Sequence, residues 1–319
     1  MAGILEDSPR FDYSGGASCP SLLLEGSRTN EIGYSEYFEG WTPQGSPTIT
    51  SNYGTSPEGL QNSSRLVFTS ASNYIETSVT NTSGVFTLYA KGTGNLILTD
   101  SGANASITTA LTSSYQRIEL YFSTNTTTLQ IKTDSSGLDA EVYAAQFENA
   151  TNPTSYIPNH SGGSVTRDAD VNTLLNQSGV IGQTAGTILF DAYFDEADKV
   201  NFSISDSSVS NFISIETTSS NEVTAKVEQG GSTQATITTT TSFFAEGDRL
   251  KCAIAYDDRD MAFYINGTQV NTAAPNLIPA CDDVRYGNYD GSIKADQRVN
   301  RVLLFDTRIS NGNLATLTS

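Results

Sequence analysis

Tyr286, Asn288, Tyr289 and Asp290 place two aromatic rings, an amide and a carboxylate in one short stretch punctuated by Gly287 and Gly291. Aromatic faces stack on the apolar side of a sugar ring while amides and carboxylates bond its hydroxyls, which makes this loop the candidate glycan site. Trp41 and Tyr53 are lesser candidates, because an aromatic beside a strand more often packs into a core. Asp257, Asp258 and Asp260 offer the clustered carboxylate oxygens that Ca2+ prefers, although Asp favours a hairpin turn without any metal. Asp282, Asp283 and Asp290 form a weaker calcium candidate.

Catalytic constellations are scarce. His160 is the single histidine and lies in a Gly/Ser-rich stretch, which excludes multi-histidine metal sites and leaves a Ser-His-Asp arrangement dependent on one loop residue. No Glu-x-Asp-x-x-Glu strand sets alternate carboxylates on one face for glycoside hydrolysis. Asp191 and Asp195 share a register, but opposite the apolar side of their strand, and are expected to be solvated. The expectation is a non-enzymatic protein; a carboxylate pair drawn from separate loops is the enzyme alternative.

The elements that must position these residues are strands. The chain of 319 residues is rich in Ser, Thr, Asn and Gly, and charged residues make up 16% of it, a composition suited to exposed sheet faces and turns. In residues 117–122, Ile118, Leu120 and Phe122 alternate with polar neighbours, and in residues 186–195, Ile188, Phe190, Ala192 and Phe194 do the same. Leu250, Cys252, Ile254 and Tyr256 repeat the period, and Asn266-Gly267 between two alternating runs supplies the turn a tight hairpin needs. Ile309, Leu314 and Leu317 are spaced for a short terminal helix. The fold class expected is all-β, two antiparallel β-sandwich (jelly-roll) domains in tandem.

Residues 152–171, with Pro153, Pro158 and the Gly162-Gly163 pair, read as a connector with Tyr156 and Ile157 pinned to the first domain. The expected division is an N-terminal arm or attachment segment over 1–33, a first sandwich over 34–171 and a second over 172–319. A leading strand packed on the first domain is the alternative for the arm.

Thirty-five acidic against 17 basic residues give a formal net charge of −18, which repels a phosphate backbone and an anionic leaflet alike. Neither nucleic acid binding nor membrane insertion is expected. The N-terminus lacks the basic start and apolar core of a secretory signal, so export by that route is not expected. Cys19, Cys252 and Cys281 are expected to be reduced, with a Cys252 to Cys281 bridge as the alternative.

Several short motifs recur in order through the first half. They are Arg10-Phe11-Asp12-Tyr13, Cys19 to Glu25 with Arg28-Thr29-Asn30, Tyr34-Ser35-Glu36 with Phe38 and Trp41, Gln146-Phe147-Glu148, Thr154-Ser155-Tyr156-Ile157-Pro158, and Val165-Thr166-Arg167 with Asp170. Over roughly the first 170 residues the chain resembles the carbohydrate-binding-module-like jelly roll of tailed-bacteriophage virion proteins, including head fibres, tail fibres and capsid decorations. Asp168 stands where that pattern usually has a small residue. The second half, through Lys251 to Tyr256, Phe263 to Gly267 and Val302 to Asp306, is similar to the concanavalin A/laminin-G-like lectin sandwich. The resemblance implies a structural virion protein, present in the host cytoplasm during assembly. It would attach to other virion proteins through its N-terminal arm, form a homo-oligomer with a trimer favoured, and bind host surface glycans weakly and multivalently. A capsid stabiliser without ligand and a tail-spike polysaccharide depolymerase are the alternatives.

Overall fold

The structure is a computed structural model that describes residues 9–13, 20–290 and 295–319. It is almost entirely antiparallel β and divides into two compact units. One is Arg28–Asp168; the other is Ala169–Ser319 together with the described part of Leu5–Ser27.

The first unit is a sandwich whose two sheets share long bent strands. Tyr74–Asp100 and Gln116–Glu148 pair along most of their length and change partners as they turn. Residues 84–94 lie between 116–122 on one side and 138–148 on the other, and Gln61–Phe68 and Thr48–Thr55 extend that sheet outward. Residues 129–131 lie between 75–77 and 98–100, with Thr42–Gln44 and Ser106–Ala110 completing the opposite sheet. Leu66, Phe68, Phe86, Leu88, Ile118, Leu120, Phe122, Val142 and Phe147 from the first sheet meet Ile75, Leu96, Leu98, Leu129 and Ile131 from the second. The strand period places Ile118, Leu120 and Phe122 inward, as the alternation requires. Gly92 (φ 141°) and Gly94 (φ 93°) lie where the long strand bends; a Cβ on either would meet the backbone of 137–140.

The second unit is a sandwich of seven and six strands. The first sheet runs in the order Arg10–Asp12, Ser21–Leu24, Gln297–Phe305, Gly186–Phe194, Asp248–Asp257, Asp260–Ile265, Thr268–Ala273. The second runs Thr173–Leu174, Asp283–Arg285, Val200–Ser205, Phe212–Thr217, Val223–Gln229, Ser232–Thr238. Ile188, Phe190, Ala192 and Phe194 pack with Leu250, Cys252, Ile254 and Tyr256 against Phe202, Ile204, Ile213 and Ile215. Asn266 (φ 47°) and Gly267 (φ 80°) form the expected hairpin turn between the paired residues Ile265 and Thr268. The helix Asn311–Thr318, capped by the Ser310 side chain, lays Leu314 on the outer face of the first sheet against Leu189, Ala253, Ala255, Ala262 and Tyr264.

Segment 1–33, expected as an attachment arm, forms strands in its described part: Ser21–Leu24 pairs with Gln297–Phe305 in the second unit, with Leu24 buried in its core, while Arg28–Asn30 pairs with Val165–Arg167 in the first. Three consecutive leucines fit a strand paired on both sides without showing any period, which hid the strand. The connector likewise contains the strand Val165–Arg167. Asp191 is buried rather than solvated, its side chain 2% exposed beneath Arg249, which it binds at 2.8 and 2.9 Å. Cys252 and Cys281 are both buried free thiols whose pKa values burial pushes up, so the bridge does not form; Cys19 lies outside the described residues.

Candidate functional site

The outer face of one sheet in the first unit carries aromatic and charged side chains in two adjacent rows. Arg65, Glu141 and Lys91 are cross-strand partners in one row, and Tyr143, Tyr89 and Arg117 in the next. Their inward neighbours Leu66, Ala140, Val142, Leu88, Ala90 and Ile118 are all core, so the strand period alone turns these side chains outward. Tyr115 and Tyr53 close the two ends. Lys91 Nζ sits 4.7 Å from the centre of the Tyr115 ring, and the Arg65 guanidinium 5.0 Å from that of Tyr53.

Glu141 organises the middle. Its Oε2 accepts from Ser63 at 3.2 Å and Tyr115 at 3.3 Å, and pairs with Lys91 at 3.2 Å. Burial and the charge of Glu141 together push the Tyr115 hydroxyl up to about 12, so it stays a donor across the neutral range. Arg65 holds Asp139 bidentately at 2.6 and 2.7 Å and keeps its carboxyl below the usual range. Tyr53 is 46% exposed, while Tyr89, Tyr115, Lys91 and Glu141 are half-buried. The face thus offers open aromatic surface with both donors and acceptors beside it.

The motifs that carried the resemblance meet beside this face and do structural work there. Glu148, fully buried, accepts from the Thr154 amide at 2.8 Å and its hydroxyl at 2.5 Å, and from Gln146. Gln146 Oε1 accepts from the Ile157 amide, and Asn30 donates to the carbonyls of Ala145 and Ile157. Tyr156 donates to Glu36 at 3.0 Å and lies 2.5 Å from the Ser35 hydroxyl. Together they fasten residues 154–159 across part of the sheet, so Tyr156 and Ile157 are pinned as expected.

The loop singled out from sequence is a mixed case. Tyr286 is packed edge-on against Phe202 at 5.7 Å and belongs to the core periphery. Asn288 is largely buried, and its side chain accepts from the Tyr289 amide. Tyr289 stacks flat on Phe212, centroids 3.8 Å apart at 9°, and is half-buried. Burial first, then the charges of Glu216, Asp290 and Glu228, raise its hydroxyl pKa against the pull of Lys226. Asp290 is exposed. Only Tyr289 and Asp290 are therefore presented as the sequence reading placed them.

Asp257 and Asp260 are paired across a two-residue turn; Asp257 caps the amide of Asp258, and Asp260 is held by Arg308 at 2.8 and 2.9 Å. Asp283 is tied to Arg285 at 2.8 Å and to the Ser207 hydroxyl. Among the described residues no group of three or more His, Cys, Asp or Glu is placed to hold a metal ion. Asp195 pairs with Arg298, whose guanidinium also covers Tyr193 at 4.2 Å. His160 is exposed and meets Tyr37 edge-on at 5.6 Å. Trp41 is core beside Phe38.

Tyr89, Tyr115, Tyr143, Glu141 and Lys91 went unnoticed in the sequence. The signal was present in Tyr89-Ala90-Lys91 and Glu141-Val142-Tyr143, where the outward positions hold aromatic and charged groups instead of the Ser and Thr usual in this chain.

The fold and site define a β-sandwich protein with an aromatic, polar sheet face partly open in its first unit. No family model and no curated protein matches the chain. Solved structures that it is similar to include a sialidase carbohydrate-binding module from Ruminococcus gnavus bound to α2,3-sialyllactose, at 13% identity and TM-score 0.38, covering 46% of this chain and 91% of that one. A heptameric SAP-like pentraxin from Limulus polyphemus matches at 15% identity and TM-score 0.35, covering 42% and 70%. Sheep galectin-11 in complex with glycerol matches at 8% identity and TM-score 0.29, covering 43% and 96%.

Proposed function

We propose that the protein is a non-enzymatic glycan binder whose principal site is the tyrosine face of the first unit. The observation that carries this reading is the pair of rows Arg65–Glu141–Lys91 and Tyr143–Tyr89–Arg117, flanked by Tyr53 and Tyr115. Sugars need an apolar platform with donors and acceptors at its rim, and this face has both. Several copies acting together would raise the avidity of such a shallow site without any new contact.

The finer setting we propose is a tailed-phage virion protein, assembled as a homo-oligomer and displayed for contact with host surface glycans. The motifs from Arg10 to Asp170 support it. Labelling of purified particles by an antibody to this chain tests that setting separately from binding.

The binding test is retention of the full chain on immobilised host glycans before and after periodate oxidation. Tyr89→Ala and Tyr115→Ala are each expected to weaken saturable, periodate-sensitive binding about tenfold, the worth of one stacking contact. Unchanged retention by the double variant, with its melting transition intact, refutes the site. A second reading uses Tyr289 and Asp290, favoured by the half-buried Tyr289 ring, stacked on Phe212 next to the exposed Asp290. If it holds, Tyr289→Ala and not Tyr115→Ala abolishes retention. A calcium ion at Asp257, Asp258 and Asp260 would need to displace Arg308 from Asp260.

A further inference from the structure

The charges on the tyrosine face are balanced and already engaged with one another. Lys91, Arg65 and Arg117 supply three cations, and Glu141, Asp139 and Glu119 meet them as three carboxylates. Arg65 binds both oxygens of Asp139, at 2.7 and 2.6 Å. Lys91 lies 3.2 Å from Glu141 and over the Tyr115 ring. Arg117 donates to the Thr154 carbonyl at 2.6 Å, lies 3.8 Å from Glu119, and sits 5.9 Å from the centre of the Tyr89 ring. The six charged side chains are between 21% and 46% exposed, so a ligand on the face meets them as pairs.

An anionic group on a ligand gains a cation here only by separating a pair that exists. That leaves one of the protein's own carboxylates without its partner beneath the ligand, in a place the ligand keeps from water. The anion also approaches a chain of net charge −18, whose field opposes it most strongly at low salt. A hydroxyl meets the opposite situation. The bonds from Ser63 and Tyr115 to Glu141 both end on Oε2, which leaves Oε1, on a side chain 21% exposed, to accept from a ligand. A sugar hydroxyl has a proton to donate to it, and an ionised ligand carboxylate has none. The register sets Glu141 directly between Arg65 and Lys91, at the centre of the charged row.

We infer that the tyrosine face selects uncharged sugar chains and discriminates against acidic ones, with Glu141 as the acceptor that sets the choice. This selection rests on the glycan reading of the face and names the class of sugar it takes.

The test is retention of the full chain on three immobilised probes prepared from one source of host glycans. They are the neutral fraction, the acidic fraction, and the acidic fraction after its carboxyl groups have been reduced to alcohols. The neutral and carboxyl-reduced probes are expected to be retained alike, and the acidic probe about tenfold more weakly at low salt, with the gap closing as salt is raised. Glu141→Gln removes the charge of the acceptor and releases Lys91. It is expected to weaken retention of the neutral probe about tenfold and to strengthen that of the acidic probe. Asp139→Asn releases Arg65 and is expected to strengthen retention of the acidic probe by the same route. Equal or tighter retention of the acidic probe by the unsubstituted chain overturns the inference and leaves the glycan reading standing. So does a preference for the neutral probe that both variants, melting as the unsubstituted chain does, keep in full. Failure of a folded chain to retain any of the three probes overturns the glycan reading, and this selection with it.

Discussion

Gly54→Ala perturbs the proposed glycan face without replacing any residue that would contact sugar. Gly54 is the ladder partner of Ser63, and a Cβ there would fall on Glu141 Oε2, 2.7 Å from the carboxylate carbon and 3.1 Å from Ser63 Oγ. The clash is with the free end of a flexible side chain, so the carboxylate swings away and the strand stays. Glu141 then loses its contacts with Lys91, Ser63 and Tyr115. A partly exposed ion pair is worth ~0.2–1 kcal/mol and each hydrogen bond ~0.5–1.5 kcal/mol, part of which water restores. Against this, alanine restricts the unfolded chain and returns ~0.4–1 kcal/mol. The net cost is about 1 kcal/mol, or roughly 2–4 °C in the transition of a unit this size. Binding is expected to suffer more, because a displaced carboxylate removes a charged acceptor worth ~1.5–3 kcal/mol, about tenfold or more in Kd. Calorimetric melting alongside glycan titration separates the two effects. Unaltered affinity at a slightly lowered melting temperature would refute the placement of sugar over Glu141, and a collapse of the fold would refute the mobile-carboxylate argument.

Leu314→Ala removes the fully buried side chain by which the terminal helix is seated, and should cost ~2–4 kcal/mol in urea unfolding of the second unit. A change below ~0.5 kcal/mol would mean the helix is not docked in solution. Asp100 is pushed up by burial but pulled further down by hydrogen bonds from Asn104 and Thr126, so its folded pKa lies below its unfolded one. Its stabilisation is therefore full above the ordinary carboxylate range and lost as pH falls through the depressed value. Asp100→Asn should flatten the fall in melting temperature below about pH 4, and an unchanged acid limb would contradict the hydrogen-bond account.

The β class, the two cores and the Asn266-Gly267 hairpin were legible because period-two alternation reports burial directly. Leu250 to Tyr256 and Ile188 to Phe194 are buried as their spacing demands. Ser21–Leu24 was not legible, since a short apolar run does not reveal which sheet it completes. Asp191 was misjudged for a related reason: alternation says which face a side chain takes, but not that Arg249 arrives from the adjacent strand to cover it. Tyr286 failed as a sugar platform because a glycine-bounded loop can fold its aromatic onto its own core, as it does on Phe202. The face in the first unit is assembled from residues as far apart in sequence as Tyr53 and Tyr143, and only the register of four strands brings them together.

Coverage of sheet faces explains why one face is a better candidate than the others. In the second unit the helix lies on one outer face, and on the other Ser203 and Ser205 donate to the carbonyls of Gly287 and Tyr289, while Tyr289 lies on Phe212. Asn201, Ser203, Ser205, Phe212 and Ser214 are accordingly at most 1% exposed although they point away from the core. In the first unit, residues 154–159 cover the sheet over Gln146 and Glu148 and as far as Tyr143, which Tyr156 meets edge-on, and Arg117, which donates to the Thr154 carbonyl. Beyond that, Tyr89, Tyr115, Glu141 and Lys91 stay partly open. A sheet intended only to be solvated needs Thr and Ser there, and this chain has them in abundance. Tyrosines held beside paired charges on an uncovered face are costly to keep soluble, and binding a hydroxyl-rich ligand is the reading that accounts for them.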